Sequence, residues 1–209
     1  MVTKEQMQAF LDVAHRAGNK GLMLCSSGNL SWRIGDDLVL ISGTGSWVPI
    51  IKEKNISVCR ISDGQSVEGP QPSIESTFHL GVLRSRKDVN VVLHFQSPFA
   101  TTIACLKDKP ANFNVTAEIP LHVGREIPVV PYYRPGSPEL AKAVTEAMQN
   151  HNSILLAKHG QVVCGKDFND AYQKAVFFEM ACEIIVRAGK GNYTTLTEDE
   201  IADLFKHFG

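Results

Sequence analysis

The sequence predicts an α/β fold in which a mixed sheet carries helices on both faces. Three observations point there. β-like runs at 38–42 (LVLIS) and 56–61 (ISVCRI) are separated by Gly43-Thr44-Gly45, and SILLAK at 153–158 is followed by a hairpin partner, QVVCG at 161–165. Helical segments lie among these hairpins, and hairpins among helices are not the pattern of a purely parallel βαβ sheet. The third is size: 209 residues, 44% hydrophobic and 21% charged, suffice for a sizeable core without staples, and no internal repeat or linker divides residues 1–209.

The elements follow in order. A first helix over about 4–18 sets Met7, Phe10, Leu11, Val13 and Ala14 at roughly helical spacing, with Thr3 and Gln6 as a capping box and Gly18 as a stop. Ser26-Ser27-Gly28-Asn29 is a small-polar stretch, and Asp63-Gly64 is a hairpin-type turn after the run at 56–61. Pro70 and Pro72 keep the chain irregular up to Ser73, which is placed to cap a helix over about 74–85. VNVVLH at 89–94 is an apolar strand ending in His94. Ser97-Pro98 starts a helix over 98–106, with Ser as cap and Pro at the first helical position. IPVVPY at 127–132 reads as a strand, and Pro135-Gly136-Ser137-Pro138 opens a capped helix over 138–150. A long helix over 167–188 carries Ala171, Ala175, Phe178 and Cys182 on one stripe, and Thr197-Glu198-Asp199-Glu200 caps a last helix over 198–207.

Charge and composition exclude several functions. There are 21 basic and 22 acidic residues, so no basic face is forced and neither nucleic acid nor an acidic membrane is the expected partner. No run approaches the ~18 consecutive apolar residues of a membrane span. The start, MVTKEQMQAFLDV, lacks the basic region, apolar stretch and cleavage site of a signal peptide, which predicts a cytoplasmic protein. Cys25, Cys59, Cys105, Cys164 and Cys182 are an odd, widely spaced set without C-x-x-C, so neither disulfides nor a thiolate zinc site is expected.

Two features carry candidate chemistry. His94 closes an apolar strand before a helix start, and in an extended segment Gln96 projects to the same side. The end of a strand before a helix N-terminus is where ligands bind in α/β sheets. His159 closes another apolar strand, and Glu75 sits in the first turn of its own predicted helix. Two histidines and a glutamate from three elements can form a metal shell that leaves a position open for substrate. A histidine after an apolar strand is usually a satisfied core or edge residue, so spacing by itself leaves the function open. The second feature is a set of small-polar turns, Ser26-Ser27-Gly28-Asn29, Thr44-Gly45 and Ser73, whose amides and hydroxyls can cradle an anion. Neither G-x-G-x-x-G nor G-x-x-x-x-G-K-[ST] is present, which counts against dinucleotides and nucleoside triphosphates.

Taken together, SGNLSWR at 27–33, LISGTG at 40–45, PSIE at 72–75 followed by His79, VLHFQSPFAT at 92–101, IPVVPYYRPGSPELA at 127–141 and LLAKHGQVVCG at 155–165 resemble the class II aldolase/adducin family. The nearest look is that of the bacterial L-fuculose-1-phosphate aldolases. The resemblance spans nearly the whole chain and implies a single domain, a three-layer αβα sandwich with a largely antiparallel sheet. It implies a divalent metal, usually zinc, and cleavage of a ketose 1-phosphate to dihydroxyacetone phosphate and a short aldehyde. By position, His94 and His159 match two of the three metal histidines, and Glu75 matches the acid/base that also ligates the resting metal. Gly28, Asn29, Thr44, Gly45 and Ser73 match the phosphate pocket. Relatives are mostly homotetramers with sites at subunit interfaces, and the same is expected here.

The chain departs from the pattern at three places. Gln96 stands where the family has its third metal histidine, and an amide oxygen is a harder, weaker ligand than imidazole. Ile74 replaces a second serine before Glu75. Near Ala117 there is no counterpart of the tyrosine that fuculose-phosphate enzymes bring from a neighbouring subunit to the aldehyde-side proton. The main expectation is a metal-dependent aldolase, a lyase. The alternatives are a related sugar-phosphate epimerase, decarboxylase or dehydratase on the same scaffold, or an adducin-like interaction module that has lost catalysis.

Overall fold

A computed structural model describes residues 2–208. One eight-stranded sheet runs through it. Its strands are β1 (Asn29–Arg33), β2 (Leu38–Ser42), β3 (Ile56–Arg60), β4 (Ser66–Glu68), β5 (Val91–Phe95), β6 (Val129–Val130), β7 (Ser153–Leu156) and β8 (Gly160–Gly165). They lie in the order β4-β3-β2-β1-β5-β8-β7-β6, and every pair is antiparallel except β6 with β7. The helices are α1 (Lys4–Asn19), α2 (Ser76–Ser85), α3 (Pro98–Cys105), α4 (Pro138–Ala147), α5 (Phe168–Ala188) and α6 (Glu198–Phe208).

Strand alternation splits the core in two. Leu30, Leu40, Leu93, Phe95 and Val163 point to one face and pack with Phe10 of α1, Ala100 of α3 and Phe178 of α5. Val39, Ile41, Val92, Val162 and Cys164 point to the other and pack with Phe78 and Leu83 of α2 and Leu140 and Val144 of α4. The mixed, largely antiparallel sheet between two helix layers is the three-layer sandwich expected. On the α2 side, the same parity that buries Val92 also turns His94 inward, where its ring meets Phe78 edge-on with centroids 5.9 Å apart.

Most predicted elements fall within a few residues of the observed ones, because their caps are local. Thr3 and Gln6 form the capping box, and Asp167 caps α5 through the amide of Asp170. Three differences have physical causes. The sequence reading places no strand at 29–33 or 66–68, yet both pair into the sheet. The strand expected over 127–132 is reduced to Val129–Val130, because Pro128 and Pro131 flank it and cannot donate to a ladder. The helix expected from 74 begins at Ser76, and Ser73 does not cap it: Ser73 Oγ accepts from the amide of Glu75 at 3.2 Å, one turn ahead. Cys59, Cys164 and Cys182 are buried and Cys25 and Cys105 exposed, all as free thiols. No helix of the described residues is long and apolar enough to cross a membrane.

Candidate metal centre

Glu75, His94 and His159 arrive from three places. Glu75 is the N-cap of α2, but its carboxylate makes no capping bond. His94 is the fourth residue of β5, and His159 lies in the turn between β7 and β8. That turn reverses through Lys158, held at φ 58°, and Gly160 follows. A Cβ at position 160 would stand 2.5 Å from the Phe95 carbonyl and 2.8 Å from Gln96 Cγ, so only glycine lets the two histidine segments approach this closely. Gly28 serves the same end from the other side, with φ 82° and a virtual Cβ 2.6 Å from the His94 carbonyl.

The donor atoms converge. His94 Nε2 lies 3.4 Å from Glu75 Oε2, and His159 Nε2 lies 3.6 Å from Glu75 Oε1. One ligand atom from each of the three residues falls within 4.8 Å of the other two. Glu75 and His94 are buried and His159 nearly so. His94 Nδ1 sits 2.8 Å from the Gln161 carbonyl, which can only accept. Nδ1 therefore carries a hydrogen, and Nε2 faces Glu75. Burial, reinforced by His94 and opposed by Glu75, pushes His159 down to about 4, so its ring is neutral at pH 7. Glu75 Oε1 and His94 Nε2 are buried without a hydrogen-bond partner. Two imidazoles and a carboxylate whose donor atoms converge fit a divalent cation and leave further positions on it open.

Gln96 makes a contact that spacing does not reveal. Its Nε2 donates to the backbone carbonyl of His159 at 2.7 Å, so its amide clamps the turn that carries a ligand. The polar turns gather beside the carboxylate. Asn29 Nδ2 donates to Ser73 Oγ at 3.1 Å and to Glu75 Oε2 at 2.9 Å. Thr44 donates its amide to the Gln71 carbonyl, Ser73 donates its amide to Ser42, and Gly43 bridges Pro72, which sets the Thr44-Gly45 turn alongside Ser73. Gly45 has φ 68° and open space where a Cβ would stand. Both hydrogens of Asn29 are already committed, so its amide reaches an incoming anion only by releasing one of them.

Several supporting residues are not singled out by the sequence. Gln161 holds His94 through its carbonyl, and its side chain donates to Ser97 Oγ at 3.0 Å. Glu179 of α5 accepts from Ser97 Oγ at 2.5 Å and from the amides of Phe99 and Ala100 at 2.8 and 2.9 Å. It caps α3 across 79–82 residues of sequence, a separation at which no local motif operates. His79 did carry a signal, since it falls one helical turn after Glu75.

Comparison with known proteins agrees with this picture. The family model described as the class II aldolase and adducin N-terminal domain matches residues 8–186. A 3-oxo-tetronate 4-phosphate decarboxylase of Haemophilus influenzae is 29% identical over 206 residues, covering 98% of each chain. An L-fuculose phosphate aldolase of Methanococcus maripaludis is 30% identical over 175 residues, 84% of this chain and 93% of the relative. Among solved structures, YgbL of Escherichia coli, described as a candidate aldolase/epimerase/decarboxylase, superposes with a TM-score of 0.89 at 29% identity, covering 96% and 97% of the two chains. With a matched model over most of its length and a sheet, turns and donor set arranged to suit, the chain belongs to the class II aldolase and adducin family.

Proposed function

We propose that this protein is a lyase that decarboxylates a phosphorylated four-carbon 3-oxo acid, with a divalent cation held by Glu75, His94 and His159. The observation that carries this reading is the match along 98% of both chains with the Haemophilus influenzae 3-oxo-tetronate 4-phosphate decarboxylase. It moves the reading from the ketose 1-phosphate aldolase, the main expectation from sequence, to the decarboxylase among the alternatives.

The chemistry suits the side chains present. In such an acid the ketone is β to the carboxylate. Loss of CO2 breaks the C1–C2 bond and leaves its electron pair shared between C2 and the C3 oxygen. A cation at this site would supply Lewis-acid polarisation of the substrate oxygens. Glu75, buried beside both imidazoles, carries the proton that ends on C2. The balance is one proton taken up, one CO2 released and dihydroxyacetone phosphate formed. Aldol cleavage in the fuculose-phosphate enzymes draws on a tyrosine for the aldehyde-side proton, and near Ala117 the chain has no tyrosine. Decarboxylation does not need it. The reading takes zinc as the cation, with Gln96 beside the three ligands. Gly28, Asn29, Thr44, Gly45 and Ser73 form the phosphate cradle of a cytoplasmic homotetramer.

The likeness to an L-fuculose phosphate aldolase keeps aldol cleavage of a ketose 1-phosphate as the second reading. The experiment incubates zinc- or manganese-loaded protein with 3-oxo-tetronate 4-phosphate and, separately, with L-fuculose 1-phosphate, and measures CO2, dihydroxyacetone phosphate and aldehyde. CO2 and dihydroxyacetone phosphate from the first substrate are expected. Product from the second alone selects the aldolase, and product from neither, together with no thermal shift on adding zinc, selects the adducin-like module.

A further inference from the structure

Behind Glu75 runs a chain of buried side chains, of which Ser31 and His79 take no part in the steps above. Asn29 gives one amide hydrogen to Glu75 Oε2 at 2.9 Å and the other to Ser73 Oγ at 3.1 Å. Its Oδ1 meets His79 Nε2 in a short hydrogen bond. His79 Nδ1 lies 2.8 Å from Ser31 Oγ. Ser31 and His79 are fully buried, and Asn29 and Glu75 are 6% and 5% exposed. The His79 ring is stacked on Phe78, with centroids 4.6 Å apart.

Donor and acceptor roles along this chain have one consistent assignment. A carboxylate oxygen accepts, so the Asn29 end facing Glu75 is the NH2. The other end is then the carbonyl, which also only accepts, so His79 carries its hydrogen on Nε2. Burial and the nearby His94 hold the His79 pKa well below the usual imidazole range, so the ring is neutral and Nδ1 accepts from the Ser31 hydroxyl. With the hydrogen on Nδ1 instead, the Nε2 lone pair would oppose Asn29 Oδ1. The amide would turn over and set its own oxygen against Glu75, two acceptors in a buried site.

We infer that His79 is a positioning residue: held by Ser31 as the Nε2–H tautomer, it fixes the end of the Asn29 amide that faces Glu75 and thereby aims the carboxylate at the cation and the substrate. Through Ser73 the same amide ties the anion cradle to the acid/base. The inference rests on Glu75 being the working carboxylate but not on which sugar phosphate is turned over.

The test uses the full-length protein, with His79→Phe, His79→Gln and Ser31→Ala compared with the unaltered chain. Phe keeps a ring against Phe78 and removes both nitrogens. Gln can still present an Nε2 hydrogen to Asn29. Long-range proton–nitrogen correlation spectra of histidine-labelled, metal-free protein should place the His79 hydrogen on Nε2. Titration with Zn2+ or Mn2+ should show His79→Phe binding about 10–100-fold more weakly, the range usual for groups that orient a metal ligand. His79→Gln should recover most of that loss. Ser31→Ala, the milder change and the one to rely on if His79→Phe fails to fold, should weaken binding several-fold. On an accepted substrate kcat should fall together with the affinity for the cation, and His79→Gln should recover both.

A hydrogen found on Nδ1 overturns the inference. So does a folded His79→Phe protein that binds the cation as tightly as the unaltered chain, and so does failure of Gln to restore what Phe removes. A protein that shows the tautomer and the affinity pattern yet turns over no sugar phosphate defeats the proposed function and leaves this inference standing.

Discussion

At the residue scale, the site leaves Glu75 Oε1 and His94 Nε2 unpaired where the three donors meet. Glu75 shows this: Oε2 accepts from Asn29, while Oε1 has no hydrogen-bond partner and lies 3.6 Å from His159 Nε2. Glu75→Gln keeps the shape and removes both the charge and the proton carrier. Turnover should fall by about 10²–10⁴-fold, the usual worth of a positioned acid/base, while far-ultraviolet circular dichroism stays unchanged. Strand ends and a helix start mark Glu75, His94 and His159 as candidates in the sequence, and the family resemblance is what gives them a role there. Their partners were not legible there. Gln96 reads as a ligand by two-residue parity, yet its amide nitrogen is engaged by the His159 carbonyl, a residue 63 positions away.

Among the elements, α3 shows how support is shared between secondary structures. Ser97 and Pro98 mark its start correctly, but Ser97 makes no capping bond to the helix. Glu179 does this from α5, and Ser97 also receives the side chain of Gln161, whose carbonyl fixes the His94 ring. Glu179→Ala leaves two helix amides and a hydroxyl without their acceptor, which should cost about 1–3 kcal/mol in urea unfolding. It should also weaken metal binding measurably by titration, because Gln161 loses an anchored partner. Helices α1, α4, α5 and α6 were legible in sequence because their caps lie three residues from the groups they satisfy. β1 was not: NLSWR is five residues long, opens on the small-polar run Ser26-Ser27-Gly28, and is recognisable as a strand only once β2 and β5 flank it.

Across the whole molecule, folding, metal binding and protonation are linked. A cation at a hundredfold excess over its Kd stabilises the folded state by about 2.7 kcal/mol. For a chain of this length that raises Tm by about 5–10 °C, and chelation should reverse it in a thermal scan. In metal-free protein His159 is held down to about 4, and His79 well below the usual range, both chiefly by burial. The unfolded chain takes up these protons near pH 6.5, whereas the folded chain refuses them. Stability is therefore full above pH 6.5 and falls as pH drops towards 4, by up to about 1.4 kcal/mol per pH unit for each histidine. The urea midpoint of metal-free protein, followed from pH 7 to 4.5, should decline accordingly.

The sequence alone determined the fold class, the positions of the helices and of most strands, and the three residues that can hold a cation. The elements follow from hydrophobic period, caps and turn residues acting over a few positions, and the three donors from their places at strand ends and a helix start taken together with the family resemblance. Only the tertiary structure decided that the three donors meet, which nitrogen of each ring faces inward, and that Ser31, His79, Asn29, Gln161 and Glu179 hold them there. The register that sets Asn29 opposite His94 and His94 opposite Val162 places those groups, and a sheet register is a long-range fact that no local pattern contains.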